Sequence, residues 1–158
     1  MVNMLNRQRL LKGITIPELL IGVLIIGIVI AIFVYALGVQ RTMARDSKRV
    51  SDISVLRASL GQYWLQKATY PVTDGIFIGQ PGGAERLGGA GFTSAEDPTP
   101  PIFLDRIPVG PNSNEYYAYR GNQTGYSLMF TTERETAYGP PATYYAHSVG
   151  VDVLDELK

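Results

Sequence analysis

Glu18 is the residue whose setting most directly poses a chemical question. It follows Lys12-Gly13-Ile14-Thr15-Ile16-Pro17 and opens a run, Leu19 to Val39, of 21 residues without a charge. As a helix that run is roughly 31 Å long, about the thickness of a bilayer's hydrocarbon core. A carboxylate at such depth costs on the order of a few kcal/mol, so it marks function and calls for a partner. Elsewhere the supply of reactive groups is thin. There is one histidine and no cysteine, which excludes Cys/His catalysis and argues against a histidine-rich zinc site. A Ser-His-Asp triad would need His147, which falls in a segment that reads as strand, the setting of an ordinary strand histidine. Asp152, Asp155 and Glu156 are candidate calcium ligands, although their spacing reads more simply as a solvated polar tail. Asn122-Gln123-Thr124 is a formal glycosylation sequon within a turn.

The order of basic residue, Gly13, Ile14-Thr15-Ile16-Pro17-Glu18-Leu19-Leu20-Ile21 and long apolar run resembles the processing site of type IV pilin-like proteins, the pilins and pseudopilins. The resemblance implies a leader of residues 1–13, removed by a prepilin peptidase between Gly13 and Ile14. It implies N-methylation of Ile14 and places Glu18 fifth in the mature chain, as an assembly residue. Cleavage would leave an amine at Ile14, charged below a pKa of about 8. Pairing that ammonium with Glu18, within a chain or between neighbours, relieves two costly groups. Between chains it would set the stagger of one helix on the next, which is registration of an assembly rather than catalysis. Pro17 stands where the family more usually carries an aliphatic residue; a first helical turn has no internal use for the missing N–H.

The resemblance continues through Arg45-Asp46-Ser47-Lys48-Arg49, Asp52-Ile53, Leu56, Tyr63 and Tyr70-Pro71. It resumes at Leu104, Ile107-Pro108, Pro111, Tyr117, Tyr119 and Tyr126-Ser127-Leu128. Gly110 precedes Pro111 where relatives often have aspartate, so no role of that aspartate carries over. The implied protein is not an enzyme and carries no cofactor. It is a subunit of a type IV pilus-like filament that polymerises with itself as a helical homopolymer. Its partners would be the prepilin peptidase, the pilus assembly platform, minor pilins and cytoplasmic membrane lipid. As a precursor it would span the cytoplasmic membrane once, leader inside and head outside, and later join an extracellular or periplasmic filament. A minor pilin or secretion/DNA-uptake pseudopilin that primes a filament or binds cargo is the alternative. A membrane-tethered binding domain or hydrolase with its leader retained is a third reading, and secretion after a cut near Ala36-Leu37-Gly38 a fourth.

Charge adds little to these choices. Fourteen basic residues balance fourteen acidic ones, which argues against bulk nucleic-acid binding. Basic residues flank the apolar run on both sides, so the positive-inside comparison is close to a tie.

Around Glu18 the expected elements are few. Helix is expected from Ile14 to Ala68: residues 14–39 as the transmembrane and assembly segment, then residues 40–68 with Val50, Ile53, Leu56, Leu60 and Tyr63/Trp64 on one apolar face. Arg45, Lys48, Arg49 and Asp52 fall elsewhere on that helix, with Asp46–Arg49 and Lys48–Asp52 as exposed pairs. The head is residues 40–158. Within it, residues 72–112 read as a Gly/Pro-rich loop with one helical turn near Glu85-Arg86-Leu87, and residues 113–151 as sheet. Strands are expected at Tyr116–Arg120, Tyr126–Thr131 and Ala142–Val149. The fold class is α+β, pilin-like and lollipop-shaped: one long N-terminal helix packed on a small antiparallel sheet of three or four strands.

Overall fold

The computed structural model describes residues 13–97 and 99–158. Residues 1–12 of the expected leader and Pro98 lie outside them. One helix, α1, runs over Ile16–Lys67. Seven strands follow: β1 Thr73–Ile78, β2 Arg86–Gly88, β3 Gly91–Thr93, β4 Tyr117–Gly121, β5 Tyr126–Thr131, β6 Thr143–Ala146 and β7 Val151–Asp152. The chain divides into two compact units, Met1–Val39 and Gln40–Lys158.

In the second unit, α1 and an antiparallel sheet of order β1-β4-β5-β6-β7 share one core. Ile53, Leu56, Leu60 and Tyr63 recur at three- and four-residue steps and are buried. They belong to one cluster with Tyr119, Tyr126, Leu128, Phe130 and Ala146. Register explains why these strand residues meet. Ile76 lies opposite Tyr119, Tyr119 opposite Leu128, and Leu128 opposite Ala146. Alternation along each strand keeps that row on one face.

The α+β class is observed, with five strands in the main sheet and a separate β2–β3 hairpin where three or four strands were expected. Three of the added strands, β1, β2 and β3, come from the segment expected to be loop. Thr73–Ile78 pairs with β4, and Glu85-Arg86-Leu87, expected as helical, instead leads into β2. Glycine density hid β1: Gly75 adopts φ +148 where the register shifts between Thr73 and Ile76, so it serves a bulge inside a strand. The expected Ala142–Val149 strand is shorter, and a turn at His147–Gly150 leads to β7.

The C-terminal residues are not a solvated tail. The Lys158 carbonyl accepts the Tyr126 and Ser148 amides at 3.2 and 3.3 Å. Asp155 accepts from Ser127 and Arg120 at 2.8 and 2.7 Å. Tyr119 donates its hydroxyl to the Pro71 carbonyl at 2.9 Å, which ties β4 to the chain leaving the helix.

Candidate functional site: the head of the apolar helix

Helix α1 begins two residues later than expected, and the reason is local. Thr15 is its N-cap residue, and the first intrahelical bond runs from the Leu19 amide to the Thr15 carbonyl at 3.0 Å. Glu18, the third helical residue, reaches back and accepts the Thr15 amide at 3.4 Å. This is the carboxylate half of a capping box, and Thr15-x-x-Glu18 was its legible signature. Pro17 sits in the first turn, where no internal donor is lost. Gly13, Ile14 and Thr15 therefore lie outside the helix.

From Ile16 to Leu37 sixteen large apolar side chains are exposed. Burial of each is worth about 1.5–3 kcal/mol, so the face as a whole represents tens of kcal/mol left unclaimed. The segment is long and apolar enough to cross a membrane. Glu18 is the one charged residue between Gly13 and Gln40. The helix runs unbroken through Gly22 and Gly27. Beside Glu18, a surface notch of about 260 Å³ is lined by Ile14, Glu18, Leu19, Gly22, Val23 and Ile26.

The head is fastened by a charge cluster that the sequence placed wrongly. Arg49 and Asp46, expected on a solvated face, are 2% and 3% exposed. The Arg49 guanidinium donates from Nε and Nη2 to the two carboxylate oxygens of Glu115, at 2.6 and 3.0 Å. Its Nη1 donates to Asp46 at 2.7 Å and to Glu133 at 2.9 Å. Asp46 also accepts the Glu133 and Arg134 amides, and Arg45 pairs with Glu133. The fork geometry of arginine suits this bidentate contact, and pairing makes the burial tolerable. Lys48–Asp52 forms at 2.6 Å, and Asp52 also accepts the Tyr117 hydroxyl at 2.8 Å. The Asp46–Arg49 spacing was legible; its burial was not, because its other partners are 66 to 88 residues away. Gly110 has a packing role here. A Cβ at that position would stand 2.4 Å from the Glu115 side chain.

Pairing moves the titrations. Hydrogen bonding to Glu115, ahead of contacts to Glu133 and Asp46, holds the Arg49 guanidinium well above the usual range. Glu133, hydrogen-bonded first by Arg45 and then by Arg49, is pulled down to about 2. Burial pushes Glu115 up, but Arg49 and Asn112 outweigh it, and its carboxyl falls below the ordinary value.

The remaining candidates find local uses. His147 is buried, its Nδ1 3.0 Å from the Tyr126 carbonyl and its Nε2 3.3 Å from Asp152. Asp152 and Glu156 pair with Lys158, and Asp155 with Arg120. Of the three carboxylates considered for calcium, two thus share Lys158 and the third turns to Arg120. No metal-holding group of acidic or histidine side chains occurs among the described residues. The Asn122 carboxamide oxygen accepts the Thr124 and Gly125 amides at 2.9 and 2.8 Å, an Asx turn that occupies the sequon.

A capped apolar helix headed by one carboxylate, continuing onto an antiparallel sheet, is consistent with the type IV pilin-like class. The relatives the chain matches narrow that class. The chain is 27% identical over 144 residues to the type II secretion system core protein G of Vibrio cholerae, covering 88% of this chain and 91% of that protein. The Escherichia coli protein of the same name is 29% identical over 128 residues, covering 75% and 79%. That of Dickeya chrysanthemi is 26% identical over 141 residues, covering 84% and 80%. No family model matches the chain, and no solved structure matches it.

Proposed function

We propose that this chain is a structural subunit of a type IV pilus-like filament, processed between Gly13 and Ile14, N-methylated at Ile14 and registered through Glu18. The supporting observation is the exposed apolar half of α1, with its single carboxylate at the head. Lipid satisfies that face in the precursor and neighbouring helices satisfy it in the filament; Glu18 is a burden in both unless an ammonium reaches it. In this reading residues 1–13 are a leader for a prepilin peptidase, residues 14–39 the transmembrane and assembly segment, and residues 40–158 the head. An assembly platform and minor subunits are the further partners, and the role is non-enzymatic. A secretion pseudopilin is the second reading, favoured by the name the three relatives share; it uses the same residues in a shorter, periplasmic filament.

The deciding experiment is the intact mass and N-terminal fragment spectrum of the protein from cells with an active prepilin peptidase. The expected chain starts at Ile14 and carries one added methyl group. A chain that keeps its leader there would refute the filament reading and leave a single-span anchored domain.

A further inference from the structure

We propose that the outer face of the main sheet carries a docking groove for a partner protein segment that presents an aromatic side chain beside a carboxylate. The groove lies wholly in the second unit and stands independently of Glu18 and of the filament reading.

Strand register builds it. Tyr119, Leu128 and Ala146 are buried in the core, so their neighbours Ala118, Met129 and Tyr145 face outward. Phe77 lies opposite Ala118, Ala118 opposite Met129, and Met129 opposite Tyr145. The outward face of such a sheet ordinarily carries polar residues. Here one row across four strands is apolar, and Phe77 is 54% exposed. Ala118 is the small member of that row, and with Gly75 it leaves a depression of about 260 Å³. A Cβ at Gly75 would come to 3.5 Å from the Arg120 stem, closing the gap between β1 and that side chain. Small-molecule sites usually exceed about 300 Å³, so this depression suits one side chain of a larger partner and is too short for an acyl chain. Phe77, Tyr145 and Met129 wall it, and rings and thioethers both favour contact with a further ring.

Charge complementarity supplies the rest of the occupant. Arg120 and Asp155 also line the groove. The Arg120 Nη1 donates to Asp155 Oδ2 at 2.7 Å, while its Nε and Nη2 take no partner among the described residues. Asp155 is spent, because its Oδ1 accepts the Ser127 hydroxyl at 2.8 Å. The rim therefore has unused donors and no matching acceptor. One arginine of this molecule already takes several carboxylates: Arg49 pairs with Asp46, Glu115 and Glu133. A second carboxylate at Arg120, adjacent in a partner chain to a ring set over Ala118, meets both features at once. Aromatic anchors seated in such pockets carry much of the binding at protein interfaces.

The test uses the detergent-solubilised full chain with methyl-labelled methionine and the probe acetyl-Gly-Phe-Asp-Gly-amide. Met129 lies in the groove, and Met43 lies on α1 outside it. The expected result is a saturable shift of the Met129 methyl resonance with Met43 unmoved. Replacing the probe's aspartate by asparagine should weaken binding roughly fivefold, the worth of an exposed ion pair. Arg120→Gln keeps a donor for Asp155 and should bind both probes with the same weak affinity. Ala118→Leu fills the floor and should bind neither; if it melts below wild type, the Arg120→Gln comparison decides alone. A Met129 resonance that ignores the probe, or equal affinity of the two probes for wild type, overturns the proposal. So does a Met129 shift that follows protein concentration without probe, which would seat a second copy in the groove. None of these results bears on the Ile14 start that tests the filament reading.

Discussion

Arg49 draws together three carboxylates from different parts of the chain, Asp46 on its own helix and Glu115 and Glu133 on the loops before β4 and after β5. Removing the guanidinium leaves those acids facing one another with Arg45 and Asn112 as partial compensation. Breaking a buried pair by deleting one partner costs about 3–5 kcal/mol. Arg49→Met is therefore expected to lower stability by about 3 kcal/mol in denaturant unfolding of the detergent-solubilised chain. A loss below about 1 kcal/mol would mean that solvent already screens the cluster. Glu133 gives the same cluster a pH dependence. Its carboxyl titrates near 2 rather than at its ordinary 4.5, through Arg45 first and Arg49 second. A depressed folded-state pKa contributes stability that is complete above the unfolded value and lost as pH falls through the folded one. Melting temperature should thus drop between about pH 4.5 and pH 2. Glu133→Gln should lie below wild type at pH 7 and converge with it near pH 2; parallel curves would assign the acid response to other carboxylates.

The elements show where the sequence was legible and where it was not. The helix and the strands at Tyr126–Thr131 and Tyr117–Gly121 follow from apolar period and aromatic alternation, because each buries one face on a common core. β1, β2 and β3 did not, since Gly75, Gly88 and Gly91 read as chain breakers while the structure uses them at a bulge and in a tight hairpin. The docked C-terminal residues were missed for a related reason. Polar side chains read as solvated unless their cationic partners are known, and Arg120 lies 35 residues away from Asp155. At the candidate site, Glu18 and its apolar run were plain in the sequence, and the notch is local too, lined only by residues between Ile14 and Ile26. The helix terminus offers a direct check on local reasoning. The helix was expected to end at Ala68, three residues before Pro71, and its last helical residue is Lys67. Ala68 adopts φ 54 and donates its amide to the Trp64 carbonyl at 2.8 Å. That left-handed conformation is the position glycine ordinarily fills after a helix, and for alanine it costs about 1 kcal/mol. Ala68→Gly should accordingly stabilise the protein by about 1 kcal/mol in the same unfolding experiment. Destabilisation would show that the helix ends through Pro71 alone.

For the molecule as a whole, apolarity cannot say where α1 resides. Lipid tails and neighbouring helices accept its sixteen exposed apolar side chains about equally well, so the step from membrane to filament needs a term that differs between them. On the proposed reading Glu18 supplies it: in lipid the carboxylate would lack a counter-charge, and in a filament a neighbour's ammonium would provide one. The capping contact complicates any simple deletion, because Glu18→Ala removes the acceptor for the Thr15 amide as well as the charge. Glu18→Gln separates the two, since its carboxamide oxygen still accepts that amide but carries no charge. Both variants should fractionate with membranes as wild type does, because neither reduces the apolar run. Both should also lose filament yield by tenfold or more, the equivalent of about 1.4 kcal/mol per subunit contact. Recovery of normal yield by Glu18→Gln alone would shift the role of this residue from registering neighbours to capping its own helix. Normal yield from both would put registration elsewhere on the helix.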